Sequence, residues 1–342
     1  MTKYKVVGDP ENPKMFSSEI IISSLNNAAK SQDLYSENDA VIVYDCCGKN
    51  HNFKNASAII CCYEHSVPKY VVRNLNGLPT IAVSPDNMMF LLEGGIPKDK
   101  VSYINLGVNS QKFKLVEKKK NLDKFVVLSY TESLVRSGLN ILIEGFGQAF
   151  SGDKSAVLYI KDRNARPEFY SWLKFRADYY NIELVYENRH ISNIEEILDM
   201  FSGVDVHFNL NFSTTWGMCI LESMSAGIVT AASMYSGPRQ FILDKMTGIG
   251  IEYELEGITQ EKINQLESIG MRNFFFPINK ENFNSWPYWC QPKVESVYKN
   301  LISIRNNLLL RKKISFLGRK MAEELSWEKS ALSLSRVLMN FN

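Results

Sequence analysis

The feature that most constrains this fold is an alternation of short β-branched runs with longer helix-period runs, repeated in two sets along 342 residues. In the first set, segments 4–8, 40–44, 58–62, 80–83 and 101–105 read as strands, while 16–30, 68–75 and 87–93 space their apolar residues as helices do. In the second set, strands at 125–129, 157–161, 183–186, 205–209 and 228–231 alternate with helices near 139–150, 168–180, 193–201, 218–226 and 238–243. Parallel neighbours need a crossover element, so this alternation predicts α/β architecture with doubly wound parallel sheets. Between the sets, KFKLVEKKKNLD at 112–123 is a charged break that ends one domain at residue 111 and opens the next at 124. Two domains also suit a chain too long for one ordinary core. Beyond residue 290, two further helices are expected, at about 292–317 and 319–340.

Composition narrows the function classes. A net charge of +2 demands no nucleic-acid partner. The excess of three basic residues over the first 120 fits an ordinary solvated surface, or a weak preference for an anionic ligand or membrane. Six cysteines, Cys46, Cys47, Cys61, Cys62, Cys219 and Cys290, include no C-x-x-C spacing and no matching histidines, so no metal site is expected. They read as small core residues of a reducing compartment, and the first twenty residues lack an unbroken apolar run; a cytoplasmic protein is expected, with membrane contact at most peripheral. The segment 274–289, FFFPINKENFNSWPYW, has seven aromatic rings in sixteen residues. It reads as packing for the last helices, with a platform for stacking on sugars or a membrane wedge as alternatives.

The stretch 208–243, FNLNFSTTWGMCILESMSAGIVTAASMYSGPRQFIL, carries the chemistry. A strand ends, a polar turn follows, and a small-residue helix begins. In a parallel sheet this order puts Thr214, Thr215 and Gly217 at the carboxyl edge, where ligands bind, with the amides of Met218 and Cys219 at the helix start. Glu222 lies about one turn further in. A glutamate on an otherwise apolar helix is costly to bury without hydrogen bonds, so it reads either as a solvated residue or as the partner of a ribose diol. At other strand ends, Gly8 closes the first strand before a helix, where it reads as an ordinary turn glycine or as a place for backbone to approach a phosphate, Lys161 brings a cation to a carboxyl edge, and Glu64 and His65 follow an apolar strand. Either of the last two could bind or deprotonate an acceptor hydroxyl, although a lone histidine there is as readily a satisfied polar residue.

These blocks resemble the retaining glycosyltransferases of the GT-B fold, family 4, group 1 type. The family's second signature glutamate corresponds to Glu222, with Ser223, Met224, Ala226 and Gly227 in the downstream pattern and Ser236, Gly237 and Pro238 at the later turn. Thr214 stands where the first glutamate is usual. YEHSVP at 63–68, VSYINLGVN at 101–109, the segment 125–150 and SWEK at 326–329 follow in the family's order, so the resemblance covers nearly the whole chain. It implies two Rossmann-like domains facing a cleft, the second spanning 124–320, with a terminal helix at 321–342 packing back across both.

It also implies an activity: transfer of a hexose from a nucleotide-diphosphate sugar to a saccharide or lipid-linked saccharide, with retention and without a metal or other cofactor. Glu222 would hold the ribose, Thr214 with the Gly217, Met218 and Cys219 backbone the hexose, and Arg136 and Lys161 the diphosphate, with Thr215 also on the donor side. The loop at 188–192, with His190, would read the base. Ser137 occupies the family's lysine position, and Arg136 is the nearest substitute. The alternative readings are a degenerate relative that binds a ligand or partner without turnover, and an epimerase, which needs paired carboxylates.

Overall fold

The computed structural model describes residues 1–8, 16–45, 56–75, 77–119, 124–163, 166–191, 193–273 and 279–341. The Cys46 and Cys47 doublet, Ser192, residues 120–123 of the charged break and 274–278 of the aromatic segment lie outside the described residues.

The first sheet contains β1 (Tyr4–Gly8), β2 (Ala40–Asp45), β3 (Ala58–Cys61), β4 (Thr80–Ala82) and β5 (Val101–Tyr103), all parallel and side by side in chain order. Its helices are α1 (Phe16–Ser31), α2 (Lys69–Leu75) and α3 (Pro85–Gly94). Local chemistry fixes α3 at both ends. Ser84 caps it by accepting from the Asn87 amide at 3.1 Å, Pro85 opens it, and Gly95 ends it in the left-handed region at φ 104°. Asn87 then joins neighbouring strand exits: its Oδ1 takes the Val83 amide and its Nδ2 donates to the Tyr63 carbonyl.

The second sheet is built from β6 (Phe125–Thr131), β7 (Ala156–Asp162), β8 (Glu183–Asn188), β9 (Val206–Asn209), β10 (Val229–Ser233) and β11 (Ile249–Ile251). Its order, β11-β10-β9-β6-β7-β8, reverses between β6 and β9. Chain direction away from that point diverges, leaving a crevice at the carboxyl ends of these two strands. The helices here are α4 (Leu139–Phe150), α5 (Pro167–Tyr180), α6 (Ile194–Ser202) and α7 (Met218–Ser225).

Four elements leave no clear pattern in the sequence: β11, the antiparallel pair β12 (Tyr253–Gly257) and β13 (Tyr288–Pro292), and α8 (Gln260–Ser268). The expected helix at 238–243 is only a 3₁₀ turn at Gly237–Gln240. The aromatic segment divides. Trp289 on β13 is fully buried against Phe212, ring centroids 5.0 Å apart, whereas Trp286 keeps 38% of its surface exposed.

The end of the chain forms three helices rather than two: α9 (Val294–Asn306), α10 (Leu308–Glu324) and α11 (Trp327–Phe341). The reason is capping. Asn307 takes the Leu310 amide on its side chain at 2.9 Å, starting a new helix inside a run whose apolar period continues. Leu325 and Ser326 break it again by pairing with the chain at Val108, whose amide donates to the Leu325 carbonyl at 2.8 Å. Helix α11 lies on the first sheet's side, where the Tyr4 hydroxyl donates to the Ala331 carbonyl and the Ser335 hydroxyl to that of Thr2. Among the described residues no helix is long and apolar enough to cross a membrane, and none of the four described cysteines is in a disulfide.

Candidate functional site

The crevice at the β6/β9 switch point is walled by the two loops that leave those strands, and backbone bonds lock the loops together. The Phe212 amide donates to the Arg136 carbonyl at 2.7 Å, and the Arg136 guanidinium to the Ser213 carbonyl at 3.3 Å. Gly138, which precedes α4, has φ +66° and sits so close to the other loop that a Cβ there would lie 2.2 Å from the Leu210 oxygen. Only glycine fits that position. The turn at 236–238 supports the same wall from behind: the Gly237 amide donates to the Thr214 carbonyl at 3.2 Å, with its Cα against Trp216.

Beneath the wall runs a buried polar chain. His207 on β9 receives the Tyr130 amide on Nε2 at 3.4 Å, so its proton resides on Nδ1, which donates to Ser223 at 2.9 Å. Ser223 in turn donates to the Ile220 carbonyl and touches Thr230. One histidine thus joins β6, β9 and α7, and burial lowers its pKa to about 4.

Helix α7 begins at Gly217, in the left-handed region and without a side-chain cap. Its Ile220, Leu221 and Met224 are buried, and Glu222 faces a cavity of about 230 Å³. Across that cavity stand Tyr130, Arg136, Arg163 and, from the first sheet, Glu64 and Tyr44. Among the described residues the Glu222 carboxyl takes no hydrogen bond or ion pair. Burial raises its pKa to about 7, against an opposing pull from Arg163. The Cys219 thiol, which accepts from Asn209 Nδ2 at 3.2 Å, is pushed up to about 12 by burial and then by Glu222, so it stays protonated and unreactive.

Both guanidiniums are held by carboxylates. Arg136 Nε lies 2.9 Å from Glu64 Oε2, and Arg163 Nη2 lies 2.8 Å from Glu132 Oε1. The Glu64 carbonyl also accepts from the Ser213 hydroxyl, so the first sheet's loop is fastened to the second at two points. Two polar atoms of the wall, Ser137 Oγ and Trp216 Nε1, are buried without a hydrogen-bond partner among the described residues.

The structure therefore brings together Glu64, Arg136, Thr214, Thr215, Gly217, Met218, Cys219 and Glu222. Four other sequence candidates do not line this cavity. Gly8 is exposed at the end of β1. His65 is buried, its Nδ1 on the Ser66 carbonyl at 2.9 Å, and desolvation lowers its pKa to about 4. Lys161 is wholly buried, and its ammonium donates to the Arg189 carbonyl, tying β7 to the loop beyond β8. His190 is exposed on that loop.

The cavity residues that sequence reasoning missed include Arg163, Glu132, Tyr130, Trp216, Asn209, Asn211 and, from the first sheet, Tyr44. The signal for Arg163 was present: it directly follows β7, at the same carboxyl edge to which Lys161 was assigned.

No family model and no curated protein sequence matches the chain. Solved structures do. A glycosyltransferase from Rickettsia africae ESF-5 superposes with a TM-score of 0.66 at 13% identity, covering 99% of this chain and 98% of that one. Anabaena Alr3699/HepE in complex with UDP and glucose gives 0.64 at 10% identity, with 99% of each chain covered. WaaG, a glycosyltransferase involved in lipopolysaccharide biosynthesis, gives 0.61 at 10% identity over 99% of each. At such identities what is shared is architecture: the chain has the two-sheet GT-B fold of these glycosyltransferases.

Proposed function

We propose that the protein is a cytoplasmic retaining glycosyltransferase that moves a hexose from a nucleotide-diphosphate sugar to a saccharide or lipid-linked saccharide without a metal. The observation that carries this reading is the unpaired Glu222 carboxyl, held in the cavity at the switch point of the second sheet. In its ionised form it accepts from both hydroxyls of a ribose. The amides at the start of α7 and the Thr214 and Thr215 hydroxyls suit the hexose. The structural neighbour from Anabaena, a complex with UDP and glucose, supports a nucleotide-sugar donor.

The chemistry asked of these residues is charge stabilisation. As the bond from the anomeric carbon to the diphosphate oxygen breaks, negative charge builds on the leaving group. Arg136 and Arg163 are the cations within the cavity that meet it, replacing Lys161 in the role sequence reasoning gave it. The acceptor oxygen forms the new bond to the anomeric carbon on the same face, and its proton passes to the departing phosphate. His65, neutral and outside the cavity, takes no part in this account.

A second reading, binding without turnover, is favoured by one observation: both guanidiniums are already paired to carboxylates, and Thr214 supplies no charge. A nucleotide-sugar panel read by thermal shift, with donor hydrolysis to free nucleotide measured for each binder, separates the two. Stabilisation with hydrolysis supports the transferase; stabilisation with no release under any acceptor supports the binder; no stabilisation sinks the transferase and leaves binding of a partner protein.

A further inference from the structure

The chain as a whole carries +2, yet the segment from Arg305 to Lys320 contains six cations and no Asp or Glu. Most of that segment is α10. Its buried side, Ile314, Gly318 and Ala322, packs on α7 and the turn at Thr247, where a Cβ on Gly318 would fall 2.6 Å from the Thr247 oxygen. The Ser315 hydroxyl donates to the Gly227 carbonyl at 2.6 Å, so the rotation of the helix is fixed.

That rotation turns Leu309, Lys313, Phe316 and Lys320 outward, within about 60° of arc and over roughly 16 Å of helix, with Lys312 one step to the side. Leu309 is 80% exposed and Phe316 59%. Leu308 on the same turn and Leu115, which lies over Gly227 beside Ser315, are exposed too. Three cations of the segment are spent internally. Arg305 pairs with Asp153, Arg311 donates to the carbonyls of Ile304 and Arg305, and Arg319 pairs with Glu323. Lys312, Lys313 and Lys320 have no carboxylate partner among the described residues; Lys320 sits over the Phe316 ring at 4.8 Å. The acidic residues at the end of the helix are themselves neutralised, Glu323 by Arg319 and Glu324 by Lys329.

We propose that this face of α10 docks on an anionic lipid surface. The occupant follows from the pairing of two features. Unneutralised lysines select negative headgroups, and an interleaved leucine and phenylalanine gain by leaving water for the acyl boundary, which a soluble polyanion does not offer. Because α10 packs directly on α7, docking would hold the Glu222 helix about one helix layer, roughly 10 Å, from the lipid. The inference does not depend on the glycosyltransferase reading.

The test is co-sedimentation of the full chain with phosphatidylcholine vesicles with and without phosphatidylglycerol. Binding is expected only to the anionic vesicles, and it should weaken with salt. Replacing Lys312, Lys313 and Lys320 together by Glu should lower the partition coefficient by roughly a hundredfold. Leu309→Ser with Phe316→Ser should also lower it, while the melting temperature stays unchanged because every substituted side chain is on the surface. Equal binding to neutral vesicles, no binding by the parent chain, or full binding by the lysine variant would overturn the proposal. So would concentration-dependent dimerisation abolished by Leu309→Ser, since the face would then belong to a second copy.

Discussion

Glu64 and Arg136 meet across the crevice, Oε2 to Nε at 2.9 Å, one from the loop after β3 and the other from the loop after β6. Each side chain keeps only about a quarter of its surface in solvent, at 22% and 25%. The pair therefore falls between exposed ion pairs, worth less than about 1 kcal/mol, and buried ones, where removing one partner costs about 3–5 kcal/mol. A double-mutant cycle with Glu64→Gln and Arg136→Gln should give a coupling energy of about 1–2 kcal/mol by urea unfolding. Additive effects would show that the two loops are not fastened by this contact.

Glu222 makes the ligand-free protein sensitive to pH. Its carboxyl is raised from 4.5 to about 7 by burial, so the fold prefers it protonated. The resulting stability is present below pH 4.5 and is lost as pH rises through 7. One pKa unit corresponds to about 1.4 kcal/mol, so the loss is at most about 3 kcal/mol. Glu222→Gln should thus raise the melting temperature at pH 8.5 and leave it unchanged at pH 4. An equal change at both values would mean that the carboxyl is not desolvated.

Two histidines act in the opposite sense. His65 and His207 are lowered from 6.5 to about 4 because the fold buries the neutral ring. Their contribution is complete above pH 6.5 and disappears as pH falls toward 4, with a cost of about 3 kcal/mol each. Imidazole proton resonances of both should show no titration between pH 5 and 8. A midpoint near 6.5 for His207 would break the assignment of its ring to Tyr130 and Ser223.

Gly138 is a sharper mechanical test. An alanine Cβ there meets the Leu210 oxygen at 2.2 Å in a backbone conformation that L residues avoid. Gly138→Ala should destabilise the chain by at least about 2–3 kcal/mol, measured by denaturant midpoint, because two loops must separate to admit one methyl group. Gly77→Ala is the control: its φ of +75° carries the same backbone strain, but no atom lies within 4 Å, so its cost should be smaller.

The alternation of periods made the two sheets legible, since parallel strands and amphipathic helices each leave a clear apolar pattern. What stayed hidden has physical causes. The break at Asn307 is a side-chain cap within an unbroken apolar period. Helix α8 and β12 have little apolar content, so their periods are faint. The placement of Glu222 followed from strand, turn and helix order alone. Lys161 and Arg163 show the limit of that reasoning: both lie at one strand end, and only packing decides that the lysine is consumed by the Arg189 carbonyl while the arginine reaches the cavity.

The central claim, that Glu222 holds the ribose of a nucleotide-sugar donor, is tested most directly by titration calorimetry of the parent chain and Glu222→Gln against the donor that a nucleotide-sugar panel identifies. A carboxylate accepting two hydroxyls contributes about 1.5–3 kcal/mol per hydrogen bond, so the variant should bind at least about tenfold more weakly. The same variant should still be folded, and more stable than the parent at pH 8.5. Unchanged affinity would contradict the account, because the cavity would then bind its ligand without the residue on which the reading rests.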